Sequence, residues 1–288
     1  MRDTASKKSK KLNRSPVTTV FFAIFLLLVG AFMALPVLYA FVSAFKPMEE
    51  FYLFPPRFFV KNPTADNFVL MAQLMSNMWV PFERYLFNTV IMSLSSTIVY
   101  MMIASLAAYP LAKHSFPGKK MIKSLILTAL MFTTAVTGVS QYVIMAWLKM
   151  INTPLSLFLP SLSGTMGVFL CMQNLSVIPE EMLESGRIDG AGEYGIWWKL
   201  VLPNIKPVLA TMCIFQFQAV WNQTGGLLIY NEALKPLAMA LSQITSSGLS
   251  RAGAGAAAAL LLLIPPVFVF VVAQSKVLET MVNSGIKG

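Results

Sequence analysis

The chain has 288 residues, of which 56% are hydrophobic and only 12% carry a charge. Soluble domains carry about twice that fraction of charged residues, so long apolar runs in so uncharged a chain predict a protein that folds in a bilayer. Its net charge of +10 does not indicate nucleic-acid binding, because the basic residues stand between apolar runs, where they fix membrane orientation.

Six stretches contain no Asp, Glu, Lys, Arg or His, and each is long enough to cross a hydrocarbon core of about 30 Å as a helix. Lipid offers the backbone no hydrogen-bond partners, and the runs lack the alternation of barrel strands. We therefore expect an all-α polytopic membrane protein with six transmembrane helices. The runs are Val17–Phe45, Leu86–Ala112, Ser124–Leu148, Pro154–Pro179, Pro207–Asn231 and Ala252–Ser275.

The first run is too long for the apolar part of a signal peptide, which has about 7–15 residues, so we interpret it as an uncleaved span. Prolines within the runs, at Pro36, Pro160 and Pro265-Pro266, are expected to kink helices more than to end them. Cys171 and Cys213 both lie inside apolar runs and are interpreted as packing residues.

The distribution of the 22 Lys and Arg residues indicates the orientation. With a cytoplasmic N-terminus, 15 of them fall on the cytoplasmic side and 7 on the other, which is the bias that the positive-inside rule predicts. This gives cytoplasmic tails at residues 1–16 and 276–288 on either side of a membrane domain at residues 17–275. Residues 180–206, between the fourth and fifth spans, are then cytoplasmic.

Residues 180–206 are predicted to form two short helices joined by a hinge. Acidic residues at the start, among them Glu184, suit the positive end of a helix dipole. Gly190-Ala191-Gly192 interrupts the helix, and the second helix is expected to end before Pro203. A connector lying on the membrane surface is the alternative, but the acidic residues disfavour contact with a negatively charged leaflet.

Three features in this segment have a fixed spacing. Glu184-Ser185-Gly186 is followed after three residues by Gly190, and after nine more by Leu200-Val201-Leu202-Pro203. This resembles the coupling loop of ABC importer permeases, whose pattern is E-A-A, three residues, G, nine residues and I-x-L-P. The substitutions here keep the small or apolar character of the pattern. The resemblance implies contact with an ATPase through Glu184, Asp189, Gly190, Ala191, Leu202 and Pro203.

From about residue 17 to its C-terminus, the chain resembles the maltose-type carbohydrate permeases, and is most similar to the second permease of such pairs. The resemblance implies a second permease subunit, two ATPase subunits that bind ATP and Mg, an extracytoplasmic solute-binding protein and a sugar substrate, in a bacterial cell membrane. The matching stretches are Phe87–Val90, Ser105–Tyr109, Phe116–Lys119, Asn152–Leu155, Ile188–Ala191, Trp221-Asn222, Leu228–Tyr230 and Gly285–Gly288.

The chain contains no phosphate-binding loop, since Gly118-Lys119-Lys120 lacks the glycine and the hydroxyl of that motif. We expect no catalytic residue, metal site or cofactor in this chain and ATP hydrolysis on separate subunits. The uncharged spans disfavour a proton-coupled secondary transporter, which uses buried ionisable groups as relays, and exclude sodium coupling less firmly. An importer of a non-sugar solute stays the nearest alternative. His114 is interpreted as an ordinary interfacial histidine.

A path for sugars needs amides and hydroxyls for hydrogen bonds and aromatic faces for the sugar ring. Gln218, Trp221 and Asn222 share a face of the fifth span, and helix packing explains them equally well. A stripe on the second span, with Thr89, Ser93, Ser96 and Tyr100, is better explained by packing. Thr134, Thr137 and Gln141 share a face of the third span and are candidate path residues.

The connection between the fifth and sixth spans, at residues 226–251, is long and is bent by Gly225-Gly226 and Gly248. In the resembled family, the equivalent loop of one permease reaches into the docked binding protein and helps to dislodge the sugar. The resemblance implies the same role here, and a loop that only caps the bundle is the alternative.

Overall fold

The structure, a computed structural model, describes residues 16–132, 134–246 and 248–285. Residues 1–15 of the predicted N-terminal tail, 1–16, and the last three residues, 286–288, lie outside that part of the chain. The described residues form helices and loops, with no strand among them. The helices are α1 (Pro16–Ala44), α2 (Met48–Phe51), α3 (Asp66–Ser76), α4 (Phe82–Lys113), α5 (Lys119–Ala129), α6 (Thr134–Trp147), α7 (Leu155–Ser161), α8 (Thr165–Val177), α9 (Glu180–Ile188), α10 (Glu193–Ile196), α11 (Leu202–Asn204), α12 (Lys206–Trp221), α13 (Leu237–Thr245) and α14 (Ala252–Gly285), with a π turn at Trp197–Val201 and 3-10 turns at Glu232–Leu234 and Leu249–Arg251.

Four helical stretches in the described ranges are long and apolar enough to cross a membrane, and a fifth is added if one bent pair is counted as a single span. The bent pair is Glu193–Asn204 with Lys206–Trp221, which meet at 80°. The protein is therefore an all-helical polytopic membrane protein. The four stretches are Val17–Ala44, Phe82–Lys113, Leu155–Val177 and Ala252–Ser275.

The predicted third span, residues 124–148, is divided in the structure. α5 ends at Ala129 and α6 begins at Thr134, and neither helix is long enough alone to count as a span. The two helix ends that flank the break carry Thr128 and Thr134, and β-branched residues favour helix less than straight-chain ones. Hydropathy alone could not detect it, because the run is uncharged throughout.

The predicted fifth span, residues 207–231, is also shorter than expected. α12 has 16 residues and ends at Trp221, which gives it a length of about 24 Å. The chain then turns through Gly225 and Gly226, whose φ angles are 77° and 50°, a region that glycine adopts without strain. In contrast, α14 continues beyond the predicted sixth span to Gly285, so residues 276–285 of the predicted C-terminal tail are helical.

α4 is the central helix of the bundle, and packs against α7, α8, α12 and α13. Its C-terminal half contributes to an apolar core with α8 and residues 183–212, and its N-terminal half contributes to a second core with α3, α13 and α14. The two cores lie at opposite ends of α4. We call the end of the bundle that holds residues 180–206 the segment end, and we call the other end the opposite end.

Two polar side chains of the predicted stripe on α4, Thr89 and Tyr100, bond neighbouring elements. Thr89 Oγ1 accepts a hydrogen bond of 2.7 Å from the backbone N–H of Leu237, and Tyr100 Oη accepts one of 2.7 Å from Gly167. A β-carbon at position 167 would stand 2.5 Å from that tyrosine oxygen. The close approach of α4 and α8 therefore needs glycine at this point.

Asn67 joins α3 to the end of α1 and to the start of α14. Its buried Nδ2 donates to the carbonyl oxygens of Ala44 and Lys46 at 2.9 and 2.7 Å. Its Oδ1 lies 2.0 Å from the position that a β-carbon at Gly253 would take. Three elements therefore meet at one side chain that has no room to move.

We expect Gly253→Ala to lower the free energy of unfolding by about 1–3 kcal/mol, because Asn67 must shift and strain its two hydrogen bonds. Thermal unfolding of the purified protein measures the effect. Gly30→Ala in α1 is the matched control, since nothing lies within 4 Å of the β-carbon it adds. Equal melting temperatures for the two variants would show that the contact at Asn67 is unimportant.

Candidate functional site

Residues 180–206 form a bent helical segment at the segment end of the bundle. α9 ends at Ile188, and a turn separates it from α10, which begins at Glu193. The chain then stays helical through the π turn and α11 to Asn204, where it meets α12 at 80°. Two helical pieces thus stand on either side of one turn.

The turn depends on Gly190, whose φ of 79° lies in the left-handed region. Its N–H donates to the carbonyl oxygen of Arg187, and the next N–H, of Ala191, donates to that of Gly186, both at 3.0 Å. Such bonds satisfy the last carbonyls of a helix. Nothing lies within 4 Å of where a β-carbon at position 190 would stand. Glycine is therefore required here by the backbone conformation and not by a lack of space for a side chain.

Close packing between the two pieces occurs instead at Gly186. A β-carbon there would lie 2.8 Å from Leu200 Cδ1 and 3.4 Å from Ile196 Cγ1. Leu183 and Ile196 are both fully buried in the same core. Because α9 and the following helical piece share this buried contact, the segment packs as one unit.

The sequence predicted that the second helix would end before Pro203, and this prediction is wrong. The helix continues through Pro203 to Asn204, and the bend falls at Ile205, whose φ and ψ are −98° and 12°. Proline has no N–H, so the helical bond that it would donate four residues back is missing. The chain adopts a π turn just before it, at Trp197–Val201, and Asn204 Nδ2 donates to the Leu200 carbonyl oxygen at 2.7 Å. Tertiary packing thus overrides the local stop signal.

The Glu193 carboxylate ties the segment to the end of α4. Its Oε2 accepts a hydrogen bond of 2.7 Å from Tyr109 Oη and lies 3.3 Å from His114 Nε2. Its Oε1 accepts a bond of 3.0 Å from Arg187 Nε on α9. Hydrogen bonds from Tyr109 and then Arg187 hold the pKa of Glu193 below its ordinary value, so the carboxylate is charged at neutral pH. One side chain thus connects α4, α9 and α10.

Sequence reasoning missed this network, because Tyr109 and Glu193 are far apart in the chain and neither stands out by its type. His114, interpreted as an ordinary interfacial residue, belongs to the network and packs edge-on against the Tyr109 ring at 5.1 Å. Within the described ranges, no three His, Cys, Asp or Glu side chains are grouped to hold a metal ion.

The residues predicted to contact an ATPase are mostly on the surface of the segment. Glu184, Asp189, Gly190 and Pro203 are exposed, whereas Ala191 and Leu202 are half-buried. The sequence did not single out the large apolar side chains beside them. Leu183, Ile196, Trp197 and Val201 fill the buried face, whereas three large apolar side chains point outward. Ile188, Tyr194 and Trp198 have 85%, 76% and 56% of their surface exposed.

The structure places the predicted path residues on α12 in two different environments. Trp221 is 3% exposed, donates from Nε1 to the Leu262 carbonyl oxygen at 3.1 Å and stacks on Phe217. Gln218 and Asn222 are exposed, and Asn222 Nδ2 donates to the Gln218 carbonyl oxygen at 2.9 Å. Trp221 therefore packs against α14, while the two amides face away from the core.

Gln141 lines an open cavity of about 620 Å³ at the opposite end of the bundle. Tyr142 on the same helix and Gln223 and Thr224 in the loop after α12 also line it. The cavity offers amides, a hydroxyl and an aromatic ring, which are the groups expected for a sugar path. Thr137 is exposed on α6, one turn before Gln141. Neither Thr137 nor Gln218 lines this cavity.

The connection between α12 and α14 is not a free loop along its whole length. Its second half is α13, with Leu237 and Leu241 fully buried against the core. Side chains hold the first half in place. Asn152 Oδ1 accepts from Asn231 N at 2.7 Å, Asn88 Nδ2 donates to the Ala233 carbonyl oxygen at 2.9 Å, and Tyr85 Oη donates to Glu232 Oε1 at 2.8 Å.

We expect Tyr109→Phe to raise the rate of hydrogen exchange in residues 193–201 about tenfold. The ring stays in place, but a hydrogen bond to a charged acceptor, contributing about 1.5 kcal/mol, is lost. Mass spectrometry of deuterium uptake measures the change. Tyr194→Phe is the control, since that side chain is 76% exposed. Similar exchange in both variants would mean that the Glu193 network does not hold the segment.

Curated relatives align along most of this chain. UgpE of Yersinia enterocolitica, an sn-glycerol-3-phosphate transport system permease protein, is 30% identical over 273 residues, which are 90% of this chain and 94% of UgpE. AraQ of Halalkalibacterium halodurans, an arabinooligosaccharides transport system permease protein, is 28% identical over 74% of this chain and 75% of its own length. LplC of Bacillus subtilis is 29% identical over 75% of this chain and 72% of its own length.

The fold agrees with a solved transporter. A chain in the crystal structure of a bacterial ABC transporter involved in the import of the acidic polysaccharide alginate superposes with a TM-score of 0.74 over 91% of this chain and 98% of that one, at 18% identity. Residues 101–281 match the family described as the binding-protein-dependent transport system inner membrane component. The chain therefore belongs to the family of inner membrane components, the permeases, of binding-protein-dependent transport systems.

Proposed function

We propose that this chain, with a second permease subunit, forms the path for a sugar or oligosaccharide that an extracytoplasmic binding protein delivers to an ATP-driven importer. The proposal rests on the structure of residues 180–206 in a chain that belongs to this family. These residues form an ordered unit, tied through Glu193 to the central helix α4. Since the sequence has no phosphate-binding loop, energy must enter through contact with another subunit.

The segment is proposed to dock into two-subunit ATPase machinery that binds ATP and Mg. Ile188 and Tyr194 are the most exposed large apolar side chains of the segment, and such side chains act as anchors when they fill a pocket on a partner. Glu184 and Asp189 are exposed on the same segment and offer acceptors for charge-assisted hydrogen bonds. The left-handed turn at Gly190 fixes the angle at which this surface is presented.

The proposed orientation places the segment and both termini in the cytoplasm, as the bias of basic residues indicates. This orientation needs an even number of crossings. We propose six, in which α5 and α6 together make the third and α12 makes the fifth. Residues 101–281, which include the proposed third and fifth crossings, match a single family model, and this supports treating them as one membrane domain.

We expect Ile188→Asp to reduce the amount of ATPase that copurifies with the permease about tenfold or more, because a charge would replace an apolar anchor. Copurification and solute uptake are measured together. Leu227→Asp is the matched control for copurification alone, because Leu227 is 82% exposed at the opposite end and lines the cavity beside Gln141. ATPase binding by Ile188→Asp at the level of this control would refute docking through the segment and would also remove support for its cytoplasmic placement.

The class of solute has two candidates. The name of AraQ and the resemblance to maltose-type permeases support a neutral sugar or oligosaccharide. The name of UgpE supports a phosphorylated polyol, and this relative aligns over more of the chain. The uncharged apolar runs favour the neutral solute, because a phosphate in the bilayer would need a buried counter-charge. Calorimetric titration of the cognate binding protein with arabinooligosaccharides and with sn-glycerol-3-phosphate separates the two.

We propose that Gln141 and Asn222 line the solute path and that Trp221 supports the helix behind it. Gln141→Ala and Asn222→Ala are expected to reduce uptake several-fold while the complex still assembles. Trp221→Ala is expected to lower stability by about 3 kcal/mol, since it opens a cavity against α14. Uptake and complex yield are measured for each variant.

Gln73→Ala, which removes an exposed amide from α3, serves as the control for the amide variants. If Gln141→Ala and Asn222→Ala transport at the level of Gln73→Ala, the path lies elsewhere, and the second permease becomes the place to search.

A further inference from the structure

We propose that residues 51–59, which we call the aromatic segment, insert into the lipid headgroup layer at the opposite end of the bundle and anchor the protein there. Its sequence is Phe-Tyr-Leu-Phe-Pro-Pro-Arg-Phe-Phe. Most of these side chains are not used in the core. Tyr52, Leu53, Phe54 and Phe59 are 61%, 43%, 95% and 71% exposed.

The depth of the segment is set by a contact with α1. The ring of Phe58 lies 5.6 Å from the ring of Tyr39, and Phe59 packs edge-on against Phe58 at 5.1 Å. Tyr39 precedes the last residue of α1, Ala44, by a little more than one turn, which is about 8 Å along the helix. The chain therefore leaves the end of α1 and folds back to a level within the membrane-crossing helix. Side chains at that level face lipid headgroups and not bulk water.

Buried polar side chains hold this return in place. Lys46 is 2% exposed, and its Nζ donates to the Arg57 carbonyl oxygen at 2.8 Å beneath the ring of Phe51. The Glu50 carboxylate accepts from Lys61 N at 3.1 Å. The aromatic segment is thus fixed at both sides, and its exposed rings are presented by an ordered loop.

The chemistry of the segment suits the bilayer interface. Tyrosine and tryptophan are enriched at the headgroup level, phenylalanine and leucine supply apolar surface that interfacial segments bury, and an arginine there reaches lipid phosphates. Arg57 is exposed between the exposed rings. Pro55 and Pro56 carry no N–H, so this stretch has two fewer backbone donors to satisfy. Trp79, which is 96% exposed just before α4 begins, adds an interfacial ring at the same end.

The inference depends on membership of a membrane-protein family and not on the identity of the solute. Its experiment uses single cysteines in the assembled complex, in vesicles of phosphatidylethanolamine and phosphatidylglycerol, with Cys171→Ala and Cys213→Ala as background. Phe54→Cys and Phe59→Cys carry an environment-sensitive fluorophore. Leu227→Cys is the matched control, because it is similarly exposed at the same end of the bundle, on a different loop.

Fluorescence at positions 54 and 59 should be quenched by lipids brominated near the headgroup at least threefold more than at position 227, and quenched less by iodide in the water. Strong iodide quenching at 54 and 59 would place the segment in water and overturn the proposal. Weak quenching by both agents would show that another subunit covers the segment, which also overturns it.

Discussion

Every backbone N–H and C=O at membrane depth must find a partner within the protein, and this constraint accounts for several of the polar side chains that the structure buries. Where a helix breaks, a side chain takes over the backbone bond. Asn67 satisfies two carbonyl oxygens after α1, Thr89 accepts from the first N–H of α13, and Gln216 Nε2 donates to the Ser161 carbonyl oxygen where α7 ends. At the segment end, Lys113 likewise satisfies a backbone carbonyl, because its Nζ donates to the Ile178 carbonyl oxygen just after α8. These buried polar residues thus stabilise breaks between helices, and the outward-facing amides stay available for a solute.

The apolar surface is distributed in a way that fits one subunit of a larger membrane assembly. α1 packs along α14, yet its apolar side chains stay largely exposed, as at Leu27 with 70%. α6 is similar, with Val139 at 75%. Such surfaces are stable in lipid or against another permease and would cause aggregation in water. By contrast, one face of α4 packs against α7, α8, α12 and α13 along the length of the bundle. The molecule therefore has a fixed centre and helices at its edge that are free to meet a partner.

The long apolar runs predicted α1, α4 and α14 well, because the cost of charge in lipid is visible in composition alone. The glycine break at 190 was also predictable, since a local conformation required it. The break after Ala129 was not, because it interrupts an apolar run without a change in charge. The direction of Trp221 was not predictable either, since α12 is apolar on all sides. The pairing of Glu193 with Tyr109 depends on the tertiary fold and leaves no local signal. The prediction that the second helix ends before Pro203 was wrong for the same reason, because packing retained a helix that the local sequence alone would end.

α4 has a further property that follows from its contacts. Tyr85 near its start holds the loop before α13 through Glu232, and Tyr109 near its end holds α10 through Glu193. The two tyrosines are about 24 residues apart, or about 36 Å of continuous helix. A stiff rod fastened at both ends converts rotation into displacement, so a tilt of about 5° at one end moves the other by about 3 Å. A displacement of that size breaks a hydrogen bond, because its donor–acceptor distance varies by only about 0.5 Å. Small movements on one side of the membrane are therefore enough to rearrange the hydrogen bonds on the other.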